Sequence, residues 1–257
     1  MGELNGIYAI WYRELKVFSR EKSRVISSIV TPVLWLLVIG GGIGSVVSLP
    51  GGTSYEAFIF PGVLVQSALF SSVFFGVYIV WDKKIDFLKE VLVSPISRSS
   101  MFLGKVIGGS TDTFIQTTIL LVIGLVLINA GMLAGLQLNA LTILLSVIIL
   151  FITTIGLVSV GLILGSQMSS LEGFQIVSSF LIFPMFFLSG ALFPIDNLPS
   201  WLAPIIFIDP LTYSVDALRA VLLGSSHFNV FFDMAIVTLF AIVTVLAGTY
   251  AFKKMKL

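Results

Sequence analysis

This sequence predicts an all-α, polytopic membrane protein with six transmembrane helices, and three observations carry that prediction. Hydrophobic residues make up 57% of the 257 and charged residues only 11%, against roughly 25% charged in an average soluble chain. With a mean hydropathy of +1.09, the charges are too few to cover a water-facing surface. Six stretches approach or exceed the run of about 20 apolar residues that a helix needs to cross the hydrocarbon core. They are Val25–Val47, Ala57–Val80, Val106–Ile128, Leu141–Ile163, Ile176–Phe193 and Met234–Phe252. Each must be helical, because an isolated strand in lipid leaves its backbone N–H and C=O groups without partners.

The third observation is charge placement. Arg13, Lys16, Arg20, Lys22 and Arg24 precede the first span, and Lys83, Lys84, Lys89, Arg98 and Lys105 lie between the second and third. Lys253, Lys254 and Lys256 follow the sixth, so an even count of six puts all but Arg219 on one face. The positive-inside rule makes that face cytoplasmic and places both termini there.

Residues 3–20, within an interfacial segment 1–24, read as an amphipathic helix on the cytoplasmic membrane surface. Leu4, Ile7, Tyr8, Trp11, Leu15 and Phe18 recur at helical spacing, with Arg13, Glu14 and Lys16 elsewhere on the wheel. A plain juxtamembrane anchor is the alternative. The charges of this stretch, and the long apolar run after it, argue against a secretory signal.

Between spans two and three, Asp82–Lys105 contains a short helix. Ile85, Leu88 and Leu92 form a stripe widened by Val91, with Lys83, Lys84, Lys89 and Glu90 on the polar side. Pro95 ends it, since the residue before a proline is pushed out of the α region. Such a helix can press on a soluble partner, or merely satisfy the charge bias. Between spans five and six, Pro194–Trp201 is turn-rich and ends in an interfacial aromatic. Asp209-Pro210 then supplies an N-cap and a first-position proline, and Gly224 a C-terminal stop. Two short helices dipping into the outer leaflet and returning are expected here, with Asp216 and Arg219 paired three residues apart on the second.

Asp112 stands about six residues, or roughly 9 Å, into the third span, with Gln116 on the same face. It is either an ion or proton site or a helix-packing hydrogen bond, and the lack of a second buried acid or base favours packing. Gly40–Gly44, Gly104–Gly108 and Gly161–Gly165 are spaced for close helix approach. His227 reads as a solvated loop residue. Without Cys, and with a single His, the chain offers no thiolate or histidine metal cluster. It has no paired carboxylates, no nucleophile–base pair and no GxxxxGK[ST] loop, which disfavours an enzyme and any ATP hydrolysis by this chain alone.

Two segments resemble the membrane subunits of ABC-2 type exporters, above all the drug-resistance permeases. One is LKEVLVSPISRSSMFLGK, residues 88–105; the other is LSGALFPIDNLPSWLAPIIFIDPLTYSVDALRAVLLG, residues 188–224. Ile85-Asp86-Phe87 departs from the Arg/Lys-x-Gly-Thr-like run of many relatives. The resemblance implies one domain over residues 1–257: an interfacial helix (1–24), six spans (25–252) and a cytoplasmic tail (253–257). It further implies two copies of a separate ATP-binding subunit that hold ATP and Mg, a second permease subunit completing a homodimer, and a prokaryotic cytoplasmic membrane. No cofactor, metal or nucleic acid is expected on this chain itself.

The helix at Asp82–Val93 is then implied to be the coupling helix, with Lys83, Lys84, Phe87, Leu88, Lys89 and Glu90 as contacts to the ATPase. An outer lid is implied from Phe193, Pro194, Asp196, Trp201, Asp209, Pro210, Tyr213 and Arg219. The expected cargo is amphipathic: a drug, a lipid or a lipid-linked glycan, moved outward. Two other classes stand beside this reading: a proton-coupled carrier using Asp112, and a membrane scaffold that transports nothing.

Overall fold

The computed structural model describes residues 3–46, 53–85, 96–195, 199 and 201–255. Among them every regular element is a helix. Helix α1 (Glu3–Arg20) precedes α2 (Lys22–Gly44), which contains a π-helical turn at Leu36–Gly40 just past Pro32. The second span is a pair, α3 (Tyr55–Phe74) and α4 (Val77–Lys84). Then come α5 (Arg98–Asn129), α6 (Ala140–Gln167) and α7 (Leu171–Leu188). Two short helices, α8 (Ala203–Ile208) and α9 (Pro210–Leu223), lead to α10 (Val230–Lys254). The described residues thus contain the six helices long and apolar enough to cross a membrane.

The starts of these helices are written locally. Ser54, Ser97, Ser170 and Asn229 each turn a side-chain oxygen onto a backbone N–H of the first turn, at 3.2, 3.1, 3.0 and 2.9 Å. Asn139 and Thr142 close a reciprocal capping box at the head of α6. Asp209 caps Leu211 N–H at 2.9 Å with Pro210 in the first position, and Gly224 ends α9 at φ +67°, as the spacing predicted.

Packing sorts the spans. In the most apolar window of each, 72% of span two is buried but only 17% of α2 and 22% of α7. Span two and α6 therefore form the centre, with α5, α9 and α10 packed around them, while α2, α7 and the far side of α10, a span also only 22% buried, keep wide apolar faces outward. Leu64, Leu69, Leu157 and Leu218 anchor the larger core; Phe75, Ile79, Phe102 and Phe252 anchor a second one beside α1. All three glycine pairs meet a neighbour. A Cβ on Gly161 would collide with the Val73 carbonyl and one on Gly165 with the Gly76 carbonyl, so α6 touches the α3–α4 junction backbone to backbone. Cβ atoms on Gly104 and Gly108 would fall 2.8 Å from Ile10 and Glu14 of α1, and one on Gly44 2.7 Å from the Glu56 carboxylate.

Three expectations change. The face of α1 that packs on α5 is Gly6, Ile10, Glu14 and Phe18, while Leu4 is 79% and Tyr8 59% exposed. The small residues let the helices close, and Glu14 goes inward with them although the wheel placed it with the polar residues. Asp216 and Arg219 are both buried rather than on a surface, and each makes its hydrogen bonds to backbone of other segments, while Asp216 still acts on Arg219 through its charge. Finally, Asp82–Lys84 continues span two instead of opening a separate helix, and Ile85 at its end is exposed. The rest of the expected cytoplasmic helix, with Phe87, Leu88, Lys89 and Glu90, lies outside the described residues.

Candidate functional site

At the end of span two, beside Lys84, is an enclosed cluster of charges. Lys105, in the second turn of α5, places Nζ 2.9 Å from Glu14 Oε1 and 2.7 Å from Asp82 Oδ2. The first contact is a hydrogen-bonded ion pair; the second is close but poorly aligned for a hydrogen bond. Arg13 closes the ring, with Nη1 at 2.8 Å from Glu14 Oε1 and Nη2 at 3.0 Å from Asp82 Oδ1. Lys105 and Glu14 are 1% exposed and Asp82 3%. Two acids against two bases leave the cluster formally neutral, the condition under which buried charge is tolerable. It joins α1, the end of span two and the start of span three at one point, so α1 and the root of residues 86–95 cannot move independently of α5.

Neighbouring contacts pin the same layer. Lys83 Nζ donates to the carbonyls of Gly165 and Met168 at 3.1 and 3.0 Å, and to that of Ser166, capping the C-terminus of α6. Arg98 Nη1 does the same for α10, at 3.1 Å from Lys253 O and 2.8 Å from Met255 O. Lys84 is exposed. At the head of α1, Glu3 accepts from the Ser100 and Ser97 hydroxyls, which hold its carboxyl below the usual carboxylate range. A carboxylate whose folded pKa is depressed contributes stability above its unfolded pKa and loses it as pH falls through the folded one. The protection of the amides of residues 7–10, measured against their intrinsic exchange rates, should therefore fall as pH drops through the carboxylate range, and Glu3→Gln should remove that pH dependence.

On the opposite end, α9 is buried over most of its length. Arg219 Nη2 donates to Gly190 O at 2.7 Å and Ala191 O at 3.1 Å, and its guanidinium carbon sits 3.9 Å from the Phe58 ring centroid. Asp216 accepts from His227 N–H and Phe228 N–H at 2.9 and 2.7 Å. Tyr213 donates to Phe207 O at 2.7 Å, which ties α9 to α8. Of the residues expected at the lid, Pro194 lines a small cavity with Phe58, Asp216 and Arg219, and Asp209 and Pro210 start α9. Phe193 is 48% and Trp201 69% exposed, His227 is exposed as expected, and Asp196 lies outside the described residues.

Asp112 and Gln116 are 1% and 0% exposed, yet Asp112 Oδ1 and both Gln116 amide atoms have no hydrogen-bond partner. The packing bond expected of them is not made there. Thr113 makes it instead, with Oγ1 at 3.3 Å from both Ser71 and Ser72 of α3. A separate cavity of about 490 Å³ opens between α2, α3 and α7, with Phe70, Phe74, Phe183, Phe186 and Phe187 on its apolar side.

Sequence reasoning missed the charge cluster because it counted Lys105 only by side of the membrane and read Asp82 as the first residue of a separate helix. A signal was present: Glu14 stands in the i, i+4 row Gly6, Ile10, Glu14, Phe18, whose other members are small or apolar.

Comparison with known proteins agrees with this architecture. Residues 5–223 match the ABC-2 type transporter family. The chain is 26% identical to nodulation protein J of Rhizobium leguminosarum bv. viciae over 251 residues, covering 96% of this chain and 93% of that protein. It is 29% identical over 204 residues to a putative transport permease, ycf38, of Cyanophora paradoxa, covering 78% and 68%. It is 24% identical over 216 residues to a probable doxorubicin resistance ABC transporter permease protein, DrrC, of Mycobacterium tuberculosis (strain ATCC 25618 / H37Rv), covering 82% and 75%. A family match over most of the chain, on six membrane-length helices, leaves one conclusion: the chain belongs to the ABC-2 type transporter family, as a multi-pass membrane subunit.

Proposed function

We propose that this subunit forms the transport path of an ATP-driven exporter in a prokaryotic cell membrane, with both termini cytoplasmic. Two separate ATP-binding subunits supply the hydrolysis, holding the ATP and Mg, and a second copy of this chain completes the path. The single observation that carries the reading is the buried Glu14–Lys105–Asp82 cluster, which welds α1, span two and span three at the root of residues 86–95. A partner that displaces this segment would move α1 and α5 together. Lys84, Phe87, Leu88, Lys89 and Glu90 are the proposed contacts to it, while Lys83 serves mainly to hold α6. In this reading α1 lies on the cytoplasmic membrane surface, and α8 and α9 dip into the outer leaflet as a lid that Arg219 and Asp216 fasten to the loops on either side.

The cargo is an amphipathic molecule, in keeping with the aromatic cavity between α2, α3 and α7. The test is transport into proteoliposomes by this chain with and without its ATPase. Movement that needs neither ATPase nor ATP would reject the proposal. Reversing Lys84 and Lys89 to Glu should abolish stimulation of the ATPase while the protein still inserts; unchanged stimulation would remove both from the contact. A proton-coupled carrier is the second reading, favoured by the unpartnered Asp112 Oδ1 inside span three. Loss of gradient-driven flux in Asp112→Asn, with no ATPase present, would select it.

A further inference from the structure

The cavity between α2, α3 and α7 has a chemical polarity that the exporter reading does not require. We infer that it seats an anionic amphiphile, with the acidic head at Arg24 and the apolar body along the phenylalanine wall. The inference rests on the permease reading and narrows its cargo. A volume of about 490 Å³ lies within the roughly 300–1,000 Å³ of sites for drug-sized ligands. Its apolar wall is ordered by edge-to-face contacts, Trp35 on Phe186 and Phe70 on Phe183, each at 5.9 Å. Facing that wall is a polar strip of Ser27, Ser28 and Thr31 from α2.

Charge then selects the head group. Arg24 is the one charged side chain among the described residues that line the cavity, and no carboxylate lines it. Its guanidinium is already anchored: Nη1 donates to Tyr78 Oη at 2.6 Å and lies 3.7 Å from Glu21 Oε2. Both contacts use Nη1, so Nη2 and Nε are left for a ligand, in the fork geometry that suits a carboxylate or phosphate. Glu21 offsets part of the charge but does not line the cavity. Deeper in, Gln66 is 6% exposed and its Oε1 has no partner, so it would accept from a ligand N–H or O–H placed there. A cationic ligand would meet Arg24, whose charge Glu21 offsets only in part, whereas an anion gains a charge-assisted pair.

The test uses the whole chain in phosphatidylcholine nanodiscs, with empty discs as background. The probes are dansyl-labelled undecanoate, its methyl ester and its trimethylammonium analogue, read by energy transfer from tryptophan. Undecanoate should bind most tightly and the cation least. Arg24→Gln should weaken undecanoate by about tenfold and leave the ester unchanged, and Arg24→Lys should recover part of the loss. Trp35→Phe should lower the transfer, the remainder coming from Trp11, Trp81 and Trp201. Equal or tighter binding of the cation would overturn the inference. So would undiminished undecanoate binding in Arg24→Gln, or transfer that Trp35→Phe leaves undiminished; displacement by phosphatidylglycerol mixed into the disc would support it, with a membrane lipid as the anionic amphiphile. None of these results depends on an ATPase, so a failed search for that partner would sink the exporter reading without touching the order of the probes.

Discussion

Replacing Lys105 with Met is expected to lower the stability of the folded subunit by about 3–5 kcal/mol, the usual loss when one partner of a buried ion pair is removed. The physical cause is what stays behind. Glu14 and Asp82, 1% and 3% exposed, would face each other with only the half-exposed Arg13 to balance them. Unfolding in mixed micelles against SDS fraction reads the change. Glu14→Gln in the Lys105→Met background should cost far less than the sum of the two single changes, because it withdraws one stranded charge. A loss under about 1 kcal/mol for Lys105→Met would mean that the cluster is hydrated and weak, as exposed pairs are. In the assembled transporter the same variant should loosen the hold of α5 on α1 and on the end of span two, so ATP hydrolysis would persist while cargo movement falls.

Gly161→Ala is expected to be as damaging. The added Cβ would collide with the Val73 carbonyl, and that obstacle is backbone rather than the flexible end of a side chain. The α3–α4 junction and α6 would have to separate along a seam that also includes Gly76 and Gly165, with a cost at or above about 3 kcal/mol, the upper end of ordinary overpacking. Gly42→Ala is the matched control. Nothing lies within 4 Å of its added Cβ, and alanine favours a helix by about 1 kcal/mol over glycine, so this variant should be neutral or slightly more stable. Equal behaviour of the two variants in the same SDS titration would dismiss the close crossing.

The same contrast shows what was legible in advance. Glycine spacing marked Gly161–Gly165 for a close approach but could not name the partner, because spacing describes one helix surface and a crossing needs two. Arg219 and Asp216 were read as neighbours on α9 for the same reason. Helical periodicity sees position i+3, while the carbonyls of Gly190 and Ala191 and the amides of His227 and Phe228 come from chain on either side. Asp112 and Gln116 were placed on an inward face and are buried, yet the bond to span two is made one residue along, by Thr113. The caps were legible in full at Asp209, Pro210 and Gly224, since a cap is settled within four or five residues of chain.

By itself the sequence determined the solvent, the number of crossings and the division of charge between the two faces. These follow from free energies of transfer that add along the chain, residue by residue. Only the tertiary structure decided which helices are central, that Glu14 turns inward to meet Lys105 and Asp82, and that Arg24 alone among the described residues brings charge to the aromatic cavity. Those outcomes depend on pairings between segments tens of residues apart, where a charge is stable in the interior only if its opposite arrives from elsewhere in the fold.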